Sequence, residues 1–235
     1  KLIIVTPSYT QGHLIEETIR SVLLQTYPNF EYIVIDGGSE DRTVDILEKY
    51  DSWIDDWVSE PDDGQTHALN KGFAKADGEI LAYINSDDYY LPPAFATAAK
   101  KLQEELASLF CGTVVEIPSG NHMVPTAPND LEGWIRSIST SLPQPGCFWE
   151  SGEVTPTFDP NLDCAFDRKF FMQLIARSAS IVRSGCPVSV FRVHEQSKTT
   201  RLQERFYREN MRINHQFVEK LVSSKRPYVR EHLRF

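Results

Sequence analysis

Three short apolar segments, each followed directly by polar or glycine residues, constrain the fold of this chain more than any other feature. They span residues 1–6 (KLIIVT), 31–36 (EYIVID) and 79–84 (EILAYI). Between them, residues 13–26 and 65–76 carry apolar side chains at helical spacing. Strands that lack an alternating polar face and are separated by helices are typical of a parallel sheet covered on both sides. The sequence therefore predicts an α/β fold with a mostly parallel sheet flanked by helices.

The alternation of helix and strand continues along the chain, although it becomes less regular after about residue 100. Further helices are predicted over residues 41–50, 93–106, 166–176 and 201–222, and further strands near Trp57 and over 109–117 and 181–193. A proline-rich stretch over 118–128 predicts an irregular loop. At 235 residues the chain is long enough for one large domain with a substantial core.

Net charge excludes one class of partner. The formal net charge is -9 at pH 7, which argues against a protein that neutralises a run of nucleic-acid phosphates. Residues 198–235 nevertheless carry ten Lys and Arg against four Glu. Two interpretations of this basic segment stay open: a packed helix with a solvated charged face, or a surface that contacts an anionic membrane or a lipid-diphosphate acceptor.

Cysteine spacing and hydropathy favour a cytoplasmic protein. The four cysteines show no C-x-x-C pair, which favours reduced thiols over a disulfide framework. No apolar run approaches the ~18 residues of a membrane-spanning helix. The expected location is the cytoplasm, with peripheral contact at the inner face of the membrane as a further option. The oligomeric state stays open.

Polar side chains follow three of the predicted strands, at the edge of a parallel sheet where ligands bind. Tyr9 can stack on a nucleotide base, Asp36 can accept a hydrogen bond from a ring N–H, and Asp87 can hold a divalent metal ion against phosphates. Each has a plainer interpretation: a surface aromatic residue for Tyr9, a turn for residues 36–38, and a helix cap for Asp87 and Asp88. Taken together, they favour a site for a nucleotide diphosphate.

Five short motifs, in order along the chain, resemble those of family-2 glycosyltransferases. They are TPSY at 6–9, QTYP at 25–28, DGGS at 36–39, NKG at 70–72 and NSDD at 85–88. The resemblance extends from residue 2 to about residue 200. It implies the Rossmann-like GT-A fold in a single domain over 1–200, with a nucleotide-binding half (1–100) and an acceptor-binding half (101–200). Residues 201–235 then form a basic amphipathic C-terminal helix.

The resemblance also implies an inverting enzyme that moves a sugar from a UDP-sugar donor to a hydroxyl group of a saccharide or lipid-linked acceptor. Its cofactor is a divalent metal ion, Mn²⁺ or Mg²⁺, with Asp87 and His194 as ligands. A plain structural role for His194 stays open. The chain departs from the family's Asp-x-Asp motif because Asn85 stands in place of the first Asp. Metal binding through phosphate oxygens and water is compatible with this loss of one negative charge.

By the same resemblance, one group of residues surrounds the nucleotide, and Asp36 contacts the uracil. The group comprises Thr6, Pro7, Ser8, Tyr9, Asp36, Gly37, Asp63, Gly64, Gln65, Asn85 and Ser86. Gln144 and Trp149 are placed on the acceptor side. For Trp149, a position in the buried core is an equal alternative.

The resemblance assigns the general base to Asp167, which begins a predicted apolar helix as an acidic residue does in the family. Asp163 is the alternative, and Asp159 beside Pro160 is typical of a turn. Many relatives carry two acids at this helix start, whereas this chain has Asp167 alone. The assignment therefore rests on the helix pattern.

Three other classes of protein share some of these features. A catalytically degenerate sugar-nucleotide-binding module is suggested by Asn85 and by the single acid at Asp167. A sugar nucleotidyltransferase would need a glycine-rich loop with Arg or Lys after the first strand, and residues 6–9 lack one. A Rossmann dehydrogenase would carry G-x-G-x-x-G at that place, where it is also absent.

Overall fold

A mixed sheet forms the centre of the protein, in a computed structural model that describes residues 1–126, 131–136, 142–152, 157–177 and 180–223. Within these residues the sheet has nine strands in the order β3-β2-β1-β4-β8-β6-β9-β5, and β7 pairs with β6. The strands are β1 Leu2–Ser8, β2 Phe30–Asp36, β3 Asp56–Ser59, β4 Ile80–Tyr83, β5 Tyr89–Tyr90, β6 Leu109–Ile117, β7 His122–Met123, β8 Cys147–Glu150 and β9 Ile181–Arg192. The predicted α/β class is confirmed.

Helices cover both faces of this sheet. They are α1 Ile15–Leu23, α2 Thr43–Tyr50, α3 Gln65–Ala74, α4 Ala94–Glu105, α5 Leu131–Arg136, α6 Phe166–Ala176, α7 Lys198–Arg201 and α8 Gln203–Ser223. The predicted C-terminal helix is thus divided at Leu202, and residues 224–235 of that prediction lie outside the described residues. Within the described part, no helix has both the length and the apolar character needed to cross a membrane.

The first half of the sheet is parallel, as the apolar segments predict. β1 pairs in parallel with β2 and β4, and β2 pairs in parallel with β3. Every residue of β1 is buried, because helices pack on both of its faces. Gly72 of the NKG motif allows α3 to lie close to β1, since a Cβ at this position would come within 2.5 Å of Val5 Cγ1. The carboxyl ends of β1 to β4 consequently meet at one edge.

The second half contains antiparallel strands that the sequence pattern did not predict. β8 lies between β4 and β6 and is antiparallel to both. It has four residues, and three of them are buried, so it shows no alternation of polar and apolar side chains. β6 and β9 pair in parallel beyond it. The sheet is therefore parallel where the predicted nucleotide residues lie and mixed elsewhere.

The last helix is fixed to the start of α6 by one buried carboxylate. Glu209 of α8 accepts hydrogen bonds from the backbone N–H groups of Asp163, Cys164 and Ala165, at 3.1, 2.9 and 2.9 Å. Burial alone would raise the pKa of Glu209, but these three donors and Arg205 outweigh it, so the pKa lies below its ordinary value of 4.5. Glu209 thereby satisfies N–H groups that precede α6 and have no partner within the helix.

We expect Glu209→Gln to lower the free energy of unfolding by about 2 kcal/mol near neutral pH, because a neutral amide replaces a charged acceptor of three hydrogen bonds. The matched control is Glu204→Gln on the same helix, whose exposed pair with Arg208 should contribute at most about 0.5 kcal/mol. Urea unfolding measures both.

The pH dependence supplies a second check on Glu209. Because its pKa in the folded protein is lowered from 4.5, the charged form stabilises the fold above that value. The contribution is lost as the pH falls through the folded pKa. The difference between wild type and Glu209→Gln should therefore shrink below about pH 4.5. A difference that is independent of pH, or equal to that of Glu204→Gln, would contradict this role.

Candidate active site

The end of β1 presents one exposed aromatic ring above buried residues. Thr6, Pro7 and Ser8 are buried, and the Thr6 hydroxyl accepts a hydrogen bond from the Tyr32 hydroxyl at 3.1 Å. Tyr9 is 63% exposed, so its ring is free to contact a ligand. The Ser8 hydroxyl is buried without a hydrogen-bond partner in the described part of the chain. Of the four predicted pocket residues, Tyr9 therefore offers the open surface.

The structure corrects the role predicted for Asp36. Its side chain is fully buried, and its carboxylate accepts hydrogen bonds from the Ser39 N–H at 2.8 Å, the Ser39 hydroxyl at 2.6 Å and the Ser59 hydroxyl at 2.6 Å. A side chain with no exposed surface does not reach a nucleobase in the crevice at the carboxyl ends of β1 to β4. Asp36 instead fixes the turn after β2, which is the plainer of its two sequence interpretations.

Gly37 leaves room at the same strand end for a carboxylate from the next loop. The Gly37 N–H donates to the Ser8 carbonyl oxygen at 2.9 Å, which joins the ends of β1 and β2. A Cβ at Gly37 would meet the carboxylate of Asp62, with Oδ2 at 3.1 Å and Oδ1 at 3.2 Å. Sequence reasoning missed Asp62. The signal was the adjacent acid pair that follows β3 in Pro61-Asp62-Asp63-Gly64.

The loop after β3 leads directly into α3. The side chain of Asp63 is 98% exposed, with the imidazole of His67 3.9 Å away. Gly64 adopts a φ of 102°, a backbone conformation that favours glycine. Gln65 begins α3 and donates from Nε2 to the Asn85 Oδ1 at 2.7 Å. The ends of β3 and β4 are thereby connected across the crevice.

Buried polar groups fix the loop after β4 in position. The Thr18 hydroxyl of α1 donates to the carbonyl oxygens of Ser86 and Asp88, at 2.9 and 2.6 Å. Asp88 is fully buried, and its Oδ1 accepts from the Arg192 backbone N–H at 2.9 Å. The helix-cap interpretation of Asp87 and Asp88 is wrong, because α4 begins at Ala94 without a side-chain cap.

The Arg192 side chain completes this support. Its guanidinium donates to the Asp87 carbonyl oxygen, to the Glu17 carboxylate at 2.6 Å and to the Leu14 carbonyl oxygen at 3.2 Å. It also lies over the Tyr89 ring, 5.4 Å from the centroid. A guanidinium with several fixed partners restricts the loop to one conformation. The loop therefore holds the backbone of Asp87 in a fixed position.

Asp87 and His194 lie together at the opening of the crevice. The His194 Nε2 and the Asp87 Oδ2 are 3.1 Å apart, and the two side chains are 22% and 19% exposed. No cluster of three or more His, Cys, Asp or Glu suited to a metal ion occurs among the described residues. A carboxylate and an imidazole fit a divalent ion that takes its other ligands from phosphate oxygens and water. The donor set thus fits Mg²⁺ or Mn²⁺ in the presence of a diphosphate.

A lysine that sequence reasoning missed follows His194. The Ser197 hydroxyl donates to the His194 carbonyl oxygen at 2.6 Å and closes a turn. Lys198 then donates from Nζ to the Gln65 Oε1 at 2.9 Å. Burial lowers the pKa of Lys198, and the Asp163 carboxylate opposes this change. Because Gln65 also holds Asn85, a cation lies beside the loop after β4.

Asp167 lies in the first turn of α6 and is partly buried. Its Oδ1 accepts from the Arg168 N–H at 2.6 Å, and burial raises the pKa of Asp167 to about 6. The ring of the preceding residue, Phe166, lies 6.4 Å from the ring of Tyr83 on β4, so the start of α6 is near the end of that strand. A carboxylate with this pKa is ionised at neutral pH and is suited to act as a base.

The two alternative acids are engaged in ion pairs. Asp163 pairs with Arg205. Asp159 pairs with Lys169 and accepts two hydrogen bonds from Asn161. Burial opposes these contacts, but together they lower the pKa of Asp159 to about 2. Asp159 is therefore the turn residue that its sequence indicates.

The predicted acceptor residues are both buried. Gln144 donates from Nε2 to the Tyr83 carbonyl oxygen at 2.8 Å, which joins the turn before β8 to the end of β4. Trp149 is 1% exposed and packs against Phe73 and Phe170, with ring centroids 5.5 and 5.0 Å away. Its predicted contact with an acceptor sugar is wrong, because β8 lies inside the sheet. The core alternative is correct for Trp149.

Comparison with known sequences identifies a family. The family model described as Glycosyl transferase family 2 matches residues 3–158. Bacillus subtilis TuaG, named for teichuronic acid biosynthesis, is 39% identical over 89 residues, which is 36% of this chain and 35% of TuaG. The Escherichia coli UDP-Glc:alpha-D-GlcNAc-diphosphoundecaprenol beta-1,3-glucosyltransferase WfgD is 36% identical over 107 residues, covering 45% of this chain and 40% of WfgD. The matches thus span less than half the length of these relatives.

Solved structures share the fold. Staphylococcus aureus TarS residues 1–349 in complex with UDP-GlcNAc superimposes with a TM-score of 0.74 at 22% identity, covering 93% of this chain and 66% of that one. The mannosyltransferase PcManGT of Pyrobaculum calidifontis, in complex with GDP-Man and Mn²⁺, gives a TM-score of 0.64 at 19% identity, covering 83% and 58%. At these identities the likeness shows the GT-A fold, as predicted.

Proposed function

The chain belongs to glycosyl transferase family 2, and from that premise we propose that it transfers a sugar from a UDP-sugar to a hydroxyl group of an acceptor. The observation that carries this proposal is the arrangement at one sheet edge. An exposed aromatic ring at Tyr9 lies one strand from the Asp87–His194 pair, since β1 and β4 are neighbours. A stacking surface beside a metal-competent acid suits a nucleotide diphosphate.

The uridine part of the donor is supported by relatives rather than by contacts in this chain. TarS has been solved with UDP and with UDP-GlcNAc, and WfgD is named for a UDP-Glc donor. We place the base against Tyr9 and the diphosphate above the loop after β4, near Asn85 and Ser86. In this arrangement Asp63, Gly64 and Gln65 approach the nucleotide from the neighbouring loop.

Asp87 and His194 would hold a divalent ion, Mn²⁺ or Mg²⁺, against the diphosphate. When bound, such an ion supplies Lewis-acid stabilisation of the negative charge on the leaving group. The chain itself adds a positive charge through Lys198, whose Nζ lies at Gln65 beside Asn85. This cation offsets part of the negative charge of the diphosphate directly.

Asp167 is the proposed general base. Its carboxylate takes the proton of the acceptor hydroxyl as that oxygen forms a bond to the anomeric carbon. The bond from the anomeric carbon to the diphosphate oxygen breaks on the opposite face, so the configuration inverts and UDP leaves. A positioned base of this kind contributes roughly 10²- to 10⁴-fold to the rate.

The acceptor is proposed to be a saccharide or a lipid-linked saccharide in the synthesis of a cell-surface polysaccharide or glycoconjugate. WfgD is named for a diphosphoundecaprenol-linked acceptor and TuaG for teichuronic acid biosynthesis. Such an acceptor is presented at a membrane surface, which agrees with a cytoplasmic protein that contacts the inner face of the membrane peripherally.

We predict that Asp167→Asn lowers turnover of a UDP-sugar at least about 10²-fold without weakening UDP binding, because the amide cannot accept the proton. The wild-type rate should rise with pH through about 6, where Asp167 loses its proton. Steady-state release of UDP measures the rate, and calorimetry measures binding.

Three outcomes of this assay separate the alternatives. Full activity in Asp167→Asn with loss of activity in Asp163→Asn would move the base to Asp163. A wild type that binds UDP but turns over no UDP-sugar with any acceptor would favour the degenerate binding module. A wild type that does not bind UDP would overturn the donor assignment.

A basic groove on the C-terminal helices supports the proposed contact with an anionic surface. Four arginines and two glutamates line it: Arg201, Arg205, Arg208 and Arg212 with Glu204 and Glu209. Arg205 and Arg208 pair with acidic neighbours, whereas Arg201 and Arg212 form no ion pair within the described residues. The opposite side of α8 places Ile213 and Phe217 in the core. The helix is thus packed on one side and cationic on the other.

We expect the double variant Arg201→Gln/Arg212→Gln to bind phosphatidylserine vesicles at least about tenfold more weakly than wild type, given about 1 kcal/mol per charge near such a surface. Arg20→Gln/Lys100→Gln is the charge-matched control on α1 and α4. Vesicle co-sedimentation measures binding. Equal recovery of all three proteins, or no recovery of wild type, would contradict the membrane contact.

A further inference from the structure

At the end of β2, no side-chain carboxylate of the strand is free to accept a hydrogen bond from a base N–H. Asp36 is fully buried, and both of its oxygens accept hydrogen bonds from Ser39 or Ser59. Gly37 follows and has no side chain. The one carboxylate at this strand end, Asp36, is therefore not available to a base placed beside Tyr9.

Asp62, in the loop after β3, supplies a carboxylate at the end of β2. Its carboxylate lies over Gly37, with Oδ2 3.1 Å from the point where a Cβ of residue 37 would stand. Its Oδ1 accepts from the Gly64 N–H at 2.7 Å, which fixes the orientation of the group. Hydrogen bonds from described residues therefore engage Oδ1 and leave Oδ2 available.

We propose that Asp62 is the residue that reads the base of the donor, by accepting the N3–H of uracil on Oδ2. This inference rests on the proposed UDP-sugar donor. Strands β3, β2 and β1 are neighbours in the sheet, so Asp62, Gly37 and Tyr9 occupy three consecutive strand ends. The ring of Tyr9 contacts the face of the base, and Asp62 contacts its edge.

Selectivity follows from the charge and fixed orientation of this acceptor. A hydrogen bond to a charged acceptor is stronger than one between neutral groups. Asn at position 62 loses the interaction in either orientation of its amide. If its oxygen accepts from Gly64, its NH₂ group faces the uracil N–H, and if it is reversed, two donors meet at Gly64.

The experiment compares UDP with N3-methyl-UDP, which lacks the N–H, by calorimetry on the full chain. We expect wild type to bind UDP about tenfold to a hundredfold more tightly than N3-methyl-UDP. Asp62→Asn and Asp62→Ala should bind UDP more weakly by a similar factor and should no longer distinguish the two ligands. The control is Asp45→Asn, an exposed acid on α2, which should behave as wild type.

A rescue variant separates recognition from damage to the loop. Gly37 has an ordinary φ, since the glycines with positive φ in the described chain are Gly38, Gly64 and Gly120, so its backbone accepts a side chain. Gly37→Asp alone should weaken UDP binding, because two carboxylates would compete for one place. In the Asp62→Ala background the same change should restore both UDP affinity and discrimination against N3-methyl-UDP.

The outcomes distinguish this inference from the proposed function. If wild type binds UDP and N3-methyl-UDP equally, or if Asp62→Asn retains the discrimination, Asp62 does not read the base, although the UDP-sugar donor stands. If wild type binds neither ligand, both proposals fall together.

Discussion

The parallel pairing of β1 with β2 and β4 is the constraint on which the rest of the structure depends. It aligns Ser8 with Asp36 and Val5 with Tyr83, so the residues that follow these strands emerge at one edge. Parallel strands need helical crossovers, and these cover both faces of the sheet. Helix α1 also brings Thr18 under the loop after β4. The same pairing thus builds the core and gathers the polar residues.

Four acids at this edge form two groups that differ in burial and in role. Asp36 and Asp88 are fully buried and accept hydrogen bonds that shape their loops. Asp62 and Asp87 are partly exposed at the crevice. A buried carboxylate with fixed donors rigidifies a loop, whereas an open one is available to a ligand. The partly exposed acids, Asp62 and Asp87, are therefore the ones proposed to recognise the base and the metal ion, and the buried acids, Asp36 and Asp88, hold the loops in place.

Sequence patterns predicted the parallel half of the fold because β1 and β2 are buried on both faces, and such strands read as continuous apolar runs. The sequence pattern did not predict β8, because a strand of four residues is too short to show an alternation of polar and apolar side chains. At the site, the polar residues after β4 pointed to Asp87, which stays a proposed ligand, but the sequence could not show that Asp36 is buried and Asp62 partly exposed, since burial depends on the direction in which each side chain leaves the backbone. Trp149 was ambiguous for the same reason. Arg192 and Lys198 act across 105 and 133 positions of the chain, which local patterns do not reveal.

The most direct measurement is a crystal structure of the chain with UDP and Mn²⁺. The convergent strand ends predict the uracil between Tyr9 and Asp62, and the diphosphate and the ion at Asp87 and His194. A base and a diphosphate bound on other elements, or an ion held away from Asp87, would contradict a single nucleotide-sugar site at the ends of β1 to β4.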